Sequence, residues 1–68
     1  MDADALNMSI RRFLKHVGVH SQREIEAAVQ QGLASGKLKG TERLHATMTL
    51  QVAGLELKVD FEDDITLA

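Results

Sequence analysis

The sequence lacks cysteine, proline, tryptophan and tyrosine, and two phenylalanines are its only aromatic residues besides histidine. Without cysteine it offers neither a disulfide framework nor a zinc site of the cysteine type. Its first residues are acidic and no long apolar run follows, which predicts neither a signal peptide nor a membrane-spanning segment. We therefore expect a cytoplasmic protein with an aliphatic core and no contact with a membrane.

The chain of 68 residues predicts one small domain of marginal stability, because so short a chain buries little of its surface. The net charge of −2 is unevenly distributed. Residues 9–43 carry an excess of lysine and arginine, whereas residues 44–68 carry an excess of aspartate and glutamate. Either the two halves complement each other within one fold, or the basic half presents a face to an anionic partner.

Apolar residues recur with a helical period over two segments, which predicts helices over about residues 2–17 and about residues 22–35. Asp2 or Asp4 is suited to cap the first helix, because a carboxylate can accept from the free N–H groups of a first turn. Gly36 is expected to end the second helix. The inward residues of both helices, which we call the apolar stripe, are Leu6, Ile10, Phe13, Leu14, Val17, Ile25, Ala28, Val29, Gly32 and Leu33.

A tight turn is predicted between these two helices, from Gly18 to Ser21. Ser21 and Glu24 have the spacing of a capping box, in which each side chain binds the backbone N–H of the other residue. Gly18, followed by the apolar Val19, matches a helix that ends in a left-handed glycine. The segment therefore predicts a helix–turn–helix.

Alternating apolar and polar residues predict strands over about residues 44–52 and about residues 55–62, joined by the two-residue loop Ala53-Gly54. This loop sets an expected register that places Leu50 opposite Leu57, Met48 opposite Val59 and His45 opposite Glu62. The predicted fold class is α+β with the order α-α-β-β. Two N-terminal helices would pack on one face of a C-terminal antiparallel hairpin, as in a winged-helix domain.

No motif for catalysis or metal binding stands out, and we expect neither enzymatic activity nor a bound metal or cofactor. His16 and His20 have the spacing of a metal pair on a helix, but Gly18 between them is expected to end the helix, so their rings need not share a face. The acidic run over residues 60–64 lacks the spacing of a calcium loop. It is more typical of a solvated edge strand, whose charges discourage aggregation.

The favoured function is a non-enzymatic protein-interaction module. Its candidate surface is the basic face of the first helix, formed by Met8, Arg11, Arg12 and Lys15. The partner is either an unknown protein or a second copy of the chain. A homodimer would pair the strand edge of residues 44–52, because a two-stranded hairpin leaves both its edges open.

The alternative function is nucleic-acid binding. Residues 13–38 resemble the helix–turn–recognition helix of winged-helix regulators, with the hairpin as the wing. That resemblance implies nucleic-acid contacts by Gln22, Arg23, Gln30, Lys37 and Lys39. Glu24 and Glu26 on the recognition helix, and an acidic wing, oppose phosphate binding and make this alternative the less favoured one.

Nearly the whole chain resembles a family of short bacterial proteins known as a domain of unknown function. The similarity lies in the segments DALNMSIRRFLK, VGV, SQREIE, ASGKLKG and MTL. It implies a small, free-standing cytoplasmic bacterial protein. It brings no activity, ligand or site residue to this sequence.

Overall fold

The computed structural model describes all residues from Met1 to Ala68. The chain forms one helix, α1 (Ala3–Ala34), and two strands, β1 (Arg43–Gln51) and β2 (Lys58–Thr66). It divides into two compact units, Met1–Lys37 with the helix and Leu38–Ala68 with the hairpin. The α+β class is confirmed, but the prediction of two N-terminal helices is wrong.

The helix α1 runs without interruption through the predicted turn. Gly18 lies inside the helix and does not have the positive φ of a helix-ending glycine, and Ser21 is a mid-helix residue that caps nothing. A break here would leave the last carbonyls of one helix and the first N–H groups of the next without partners. Glycine costs only about 1 kcal/mol relative to alanine in a helix, and no proline forces a break. Continuity is therefore favoured over the turn.

Both outer ends of α1 lie where the sequence predicts them. The Asp2 carboxylate caps the first turn, with its Oδ1 accepting from the N–H groups of Asp4 at 3.0 Å and Ala5 at 3.1 Å. Gly36 follows the last turn with a φ of 78°, a left-handed conformation that glycine adopts without strain. Its N–H donates to the Leu33 carbonyl at 3.2 Å, which pairs one of the last carbonyls of the helix.

The hairpin keeps its predicted faces, but its predicted register is wrong by two residues. Leu50 pairs with Val59 and Met48 pairs with Phe61, where Leu57 and Val59 were expected. Because side chains alternate with a period of two, a shift of two residues leaves every side chain on its predicted face. The ladder ends at Gln51 and Lys58, so the connection between the strands is longer than predicted, and β2 ends later than residue 62.

The turn explains the altered register. Val52 and Leu55 form a turn, in which the Leu55 N–H donates to the Val52 carbonyl at 3.2 Å. Gly54 has a φ of 87°, but Ala53 does not have a positive φ. A two-residue hairpin turn that continues directly into a ladder needs positive φ at its first central residue (type II′) or at both (type I′), whereas turns of types I and II splay the strands. The ladder therefore starts farther from the turn.

Candidate interaction surfaces

The apolar stripe of α1 is largely exposed. The continuous helix places its first five residues, from Leu6 to Val17, along one side, over a length of roughly 16 Å at about 1.5 Å per residue. The residues from Ile25 to Leu33 are rotated away from that side, because Leu33 follows Leu6 by about seven and a half turns at about 3.6 residues per turn. Leu6, Ile10, Phe13 and Leu14 are 46%, 47%, 51% and 54% exposed. No hydrophobic side chain of the whole chain is buried. The stripe is thus an apolar surface that a second polypeptide could cover.

The basic face lies on the side of the helix opposite the stripe residues from Leu6 to Val17. Met8 is 70% exposed, and Arg11, Arg12 and Lys15 are exposed as well. None of these cations forms a salt bridge within the chain. The face is formed as the sequence places it, and its role in binding a partner stays a prediction. Between the face and the stripe lies a shallow depression lined by Ser9, Arg12, Phe13 and His16, all residues of this helix.

His16 and His20 lie together, because Gly18 does not end the helix as expected. One uninterrupted helix places residues four apart on the same face. The two ring centroids are 4.3 Å apart at a tilt of 47°, and His20 Nδ1 lies 2.9 Å from the His16 carbonyl oxygen. Nowhere in the chain do three or more histidine, cysteine or acidic side chains form a group that could hold a metal ion.

The polar face of the hairpin carries a cluster around His45. Its Nε2 lies 2.9 Å from Glu62 Oε1, and its Nδ1 lies 3.4 Å from Asp64 Oδ1. The prediction that Glu62 lies directly opposite His45 is wrong, because Asp64 occupies that position, but the side chains of His45 and Glu62 are in contact. The Glu62 carboxylate, assisted by that of Asp64, raises the pKa of His45 above its ordinary value of 6.5.

This cluster predicts that the hairpin loses stability as the pH rises. Because the pKa of His45 is raised in the folded state, the protonated ring stabilises that state fully at pH values below its ordinary pKa of 6.5. This contribution to stability is lost as the pH rises through the pKa that His45 has in the folded state. We expect the Tm of the native protein to exceed that of a His45→Gln variant more at about pH 5.5 than at about pH 8. Thermal unfolding at both pH values checks this. An equal Tm difference at the two pH values would contradict it.

Glu42 is a structural residue that the sequence analysis missed. Its carboxylate accepts from the backbone N–H groups of Lys39 at 2.8 Å, Gly40 at 2.9 Å and Thr41 at 3.1 Å. The Lys39 N–H above all, together with those of Gly40 and Thr41, lowers the pKa of Glu42 below its ordinary value of 4.5. The carboxylate therefore fixes the loop before β1 above that pKa, and this contribution is lost in acid.

The residues proposed to contact nucleic acid are not presented by a helix–turn–helix. Gln22, Arg23 and Gln30 lie within α1, and Lys37 and Lys39 follow its end. With no turn at residues 18–21, the separate recognition helix that the winged-helix resemblance implied does not exist. Gln22 is also engaged within the helix, because its Nε2 donates to Glu26 Oε1 at 2.9 Å.

Comparison with known protein families gives a match that extends over residues 1–68, to DUF6494, described as a family of unknown function. The chain belongs to the DUF6494 family. The resemblance noted in the sequence is thereby confirmed as membership of a family of unknown function. No curated protein and no solved structure matches this DUF6494 chain. No helix of the DUF6494 protein combines the length and the apolar character needed to cross a membrane.

Proposed function

We propose that this protein is a non-enzymatic protein-interaction module. It binds another polypeptide, which covers the apolar stripe of α1. The observation that carries the proposal is the exposure of the stripe in a chain without a single buried hydrophobic side chain. Most helical stability in proteins comes from packing an amphipathic face. Soluble monomers rarely expose large contiguous apolar patches, and such patches commonly mark interaction sites.

The polar clusters support binding over catalysis. His45 and its partners Glu62 and Asp64 are 60%, 59% and 46% exposed at their side chains, on an open strand face. Titratable groups with catalytic roles are usually found in concave, partly desolvated sites. In this chain the two groups with shifted pKa values have structural contacts instead: His45 links the two strands of the hairpin, and Glu42 binds the backbone of the loop before it.

Photo-crosslinking in cells tests this proposal. A photoreactive amino acid is introduced at Ile10, in the stripe, and, as a matched control, at Ala27 on the outer face of the same helix. We expect illumination to give a covalent protein adduct from position 10, at several times the yield from position 27. The same yield from the two positions, or no adduct from position 10, would refute an interaction through the stripe.

A further inference from the structure

The two histidines of α1 lie on either side of Gly18, one turn of the helix apart. His16 and His20 are four positions apart, the spacing at which side chains of a continuous helix are neighbours. Their ring centroids are 4.3 Å apart, and both residues are exposed. The expectation that no metal binds rests in part on Gly18 ending the helix, and the uninterrupted helix removes that reason.

One contact determines where the second ring carries its proton. His20 Nδ1 lies 2.9 Å from the carbonyl oxygen of His16. A carbonyl oxygen only accepts, so Nδ1 is the donor of this hydrogen bond, and Nε2 of the neutral ring keeps a free lone pair. Metal-binding histidines commonly hold their other ring nitrogen in this way, by donating to a backbone carbonyl. His20 is therefore in the tautomer that binds a metal ion through Nε2.

The distance between the two rings fits two ligands of one ion. Imidazole nitrogens bind zinc and similar ions at about 2.0–2.1 Å, and the ring centre lies about 1.2 Å farther along the same line. Two imidazoles at right angles on one ion therefore have centroids about 4.5 Å apart, and two at tetrahedral positions about 5.2 Å apart. The observed 4.3 Å is closer to the first value. Right angles between ligands are typical of nickel(II) and copper(II).

The charges beside the histidine pair nearly cancel. Arg12 lies one turn before His16, and Glu24 lies one turn after His20. The guanidinium repels a cation and the carboxylate attracts it, so the two effects oppose each other. No third histidine, cysteine or acidic side chain joins the pair as a ligand. Water would occupy the other positions of a bound ion, as it does in protein sites that keep an open position.

We propose that His16 and His20 form a site for a divalent transition metal that accepts imidazole ligands at right angles, nickel(II) or copper(II), and that the ion bridges Gly18. Two ligands that flank this glycine reach one ion only while the helix is continuous there. Binding therefore favours the uninterrupted α1 over a break at residues 18–21, because a ligand stabilises the conformation that binds it. The site is independent of the apolar stripe, so its test and the test of the proposed function have separate outcomes.

Titration with nickel chloride alone tests the site, at a pH where imidazole is neutral. We expect calorimetry to give one nickel ion per chain and NMR to show paramagnetic broadening of the His16 and His20 ring signals. His16→Gln and His20→Gln should each weaken binding at least about tenfold, because a single imidazole loses the advantage of two linked ligands. His45→Gln, which removes the histidine of the hairpin, is the control and should leave the affinity unchanged. No binding, or an affinity that the first two variants leave unchanged, would overturn the site.

Moving one histidine tests the need for the helical spacing. The double variant His20→Gln/Gln22→His has the composition of the native chain. Its second ring lies about 120° around the helix axis from His16, whereas His20 lies about 40° from it. The double variant should bind nickel no better than His20→Gln alone. Native affinity in the double variant would show that the histidines bind ions separately and would overturn the shared ion.

The stability of α1 tests the bridge across Gly18. Saturating nickel should raise the Tm measured by the circular dichroism of the helix in the native chain, and should leave that of His16→Gln unchanged. It should also slow amide exchange at residues 18–21 of the native chain. Nickel binding that changes neither the Tm nor this exchange would overturn the bridge.

Discussion

Leu14→Ala is expected to lower the free energy of unfolding by about 2–3 kcal/mol, the usual loss for a leucine buried in packed surroundings. Leu14 is 54% exposed in the single chain, and alanine is the better helix former. A chain whose stripe faced water would therefore lose little or gain stability. The expected loss arises only if another polypeptide covers Leu14. Thermal unfolding at a fixed protein concentration should show a Tm lower by about 10 °C.

Met8→Ala is the control for this prediction. Met8 is 70% exposed and lies on the basic face, away from the stripe. Its replacement should change the free energy of unfolding by no more than about 0.5 kcal/mol. If Leu14→Ala leaves the Tm unchanged, the stripe is not an interface. A large loss with Met8→Ala would instead place the interface on the basic face.

Gly18→Ala is expected to raise the free energy of unfolding by about 1 kcal/mol, because alanine is favoured over glycine inside a helix. A Cβ atom added at Gly18 meets nothing within 4 Å, and its φ is not positive. The matched substitution Gly36→Ala should act in the opposite direction. Gly36 has a φ of 78°, where an L-residue is strained by about 1–2 kcal/mol.

The two glycine variants are compared by thermal unfolding under the same conditions. Opposite signs are the expected result, with Gly18→Ala melting higher than the native protein and Gly36→Ala melting lower. Destabilisation by both substitutions would show that Gly18 ends a helix, as the capping pattern at Ser21 predicts. The uninterrupted α1 would then be wrong.

The outer ends of α1 could be predicted from the sequence, and its continuity could not. Asp2 and Gly36 act through local backbone geometry, which a few neighbouring residues determine. Gly18 and Ser21 are also compatible with a local break, but they are equally compatible with a continuous helix, so the local sequence does not decide between the two. That choice depends on the whole set of backbone hydrogen bonds that a break would sacrifice.

The faces of the hairpin were predictable, and its register was not. The alternation of apolar and polar residues determines which side chains share a face of the hairpin. A shift of the strand register by two residues leaves each side chain on the same face. Register depends on the turn, and specifically on the φ of Ala53, which alternation does not encode. Glu42 escaped the sequence analysis for a similar reason, because its partners are backbone N–H groups and not side chains.

The candidate interaction surface was predicted in part. The helical period of the sequence identified the residues of the apolar stripe, from Leu6 to Leu33. We interpreted these residues as the inward side of a single folded chain. Periodicity indicates which residues avoid water, but it does not say which polypeptide covers them. Nor does it relate the two predicted helices to each other: in one continuous helix the residues from Ile25 to Leu33 are rotated away from the side of Leu6 to Val17.

Amide hydrogen exchange along α1, with and without the partner that photo-crosslinking at position 10 captures, tests most directly whether another polypeptide covers the apolar stripe. The predicted result is slow exchange along α1 when the partner is present, including residues 18–21, and much faster exchange when it is absent. Slow exchange that does not depend on the partner would contradict a covering polypeptide. Fast exchange confined to residues 18–21 with the partner present would contradict the continuous helix.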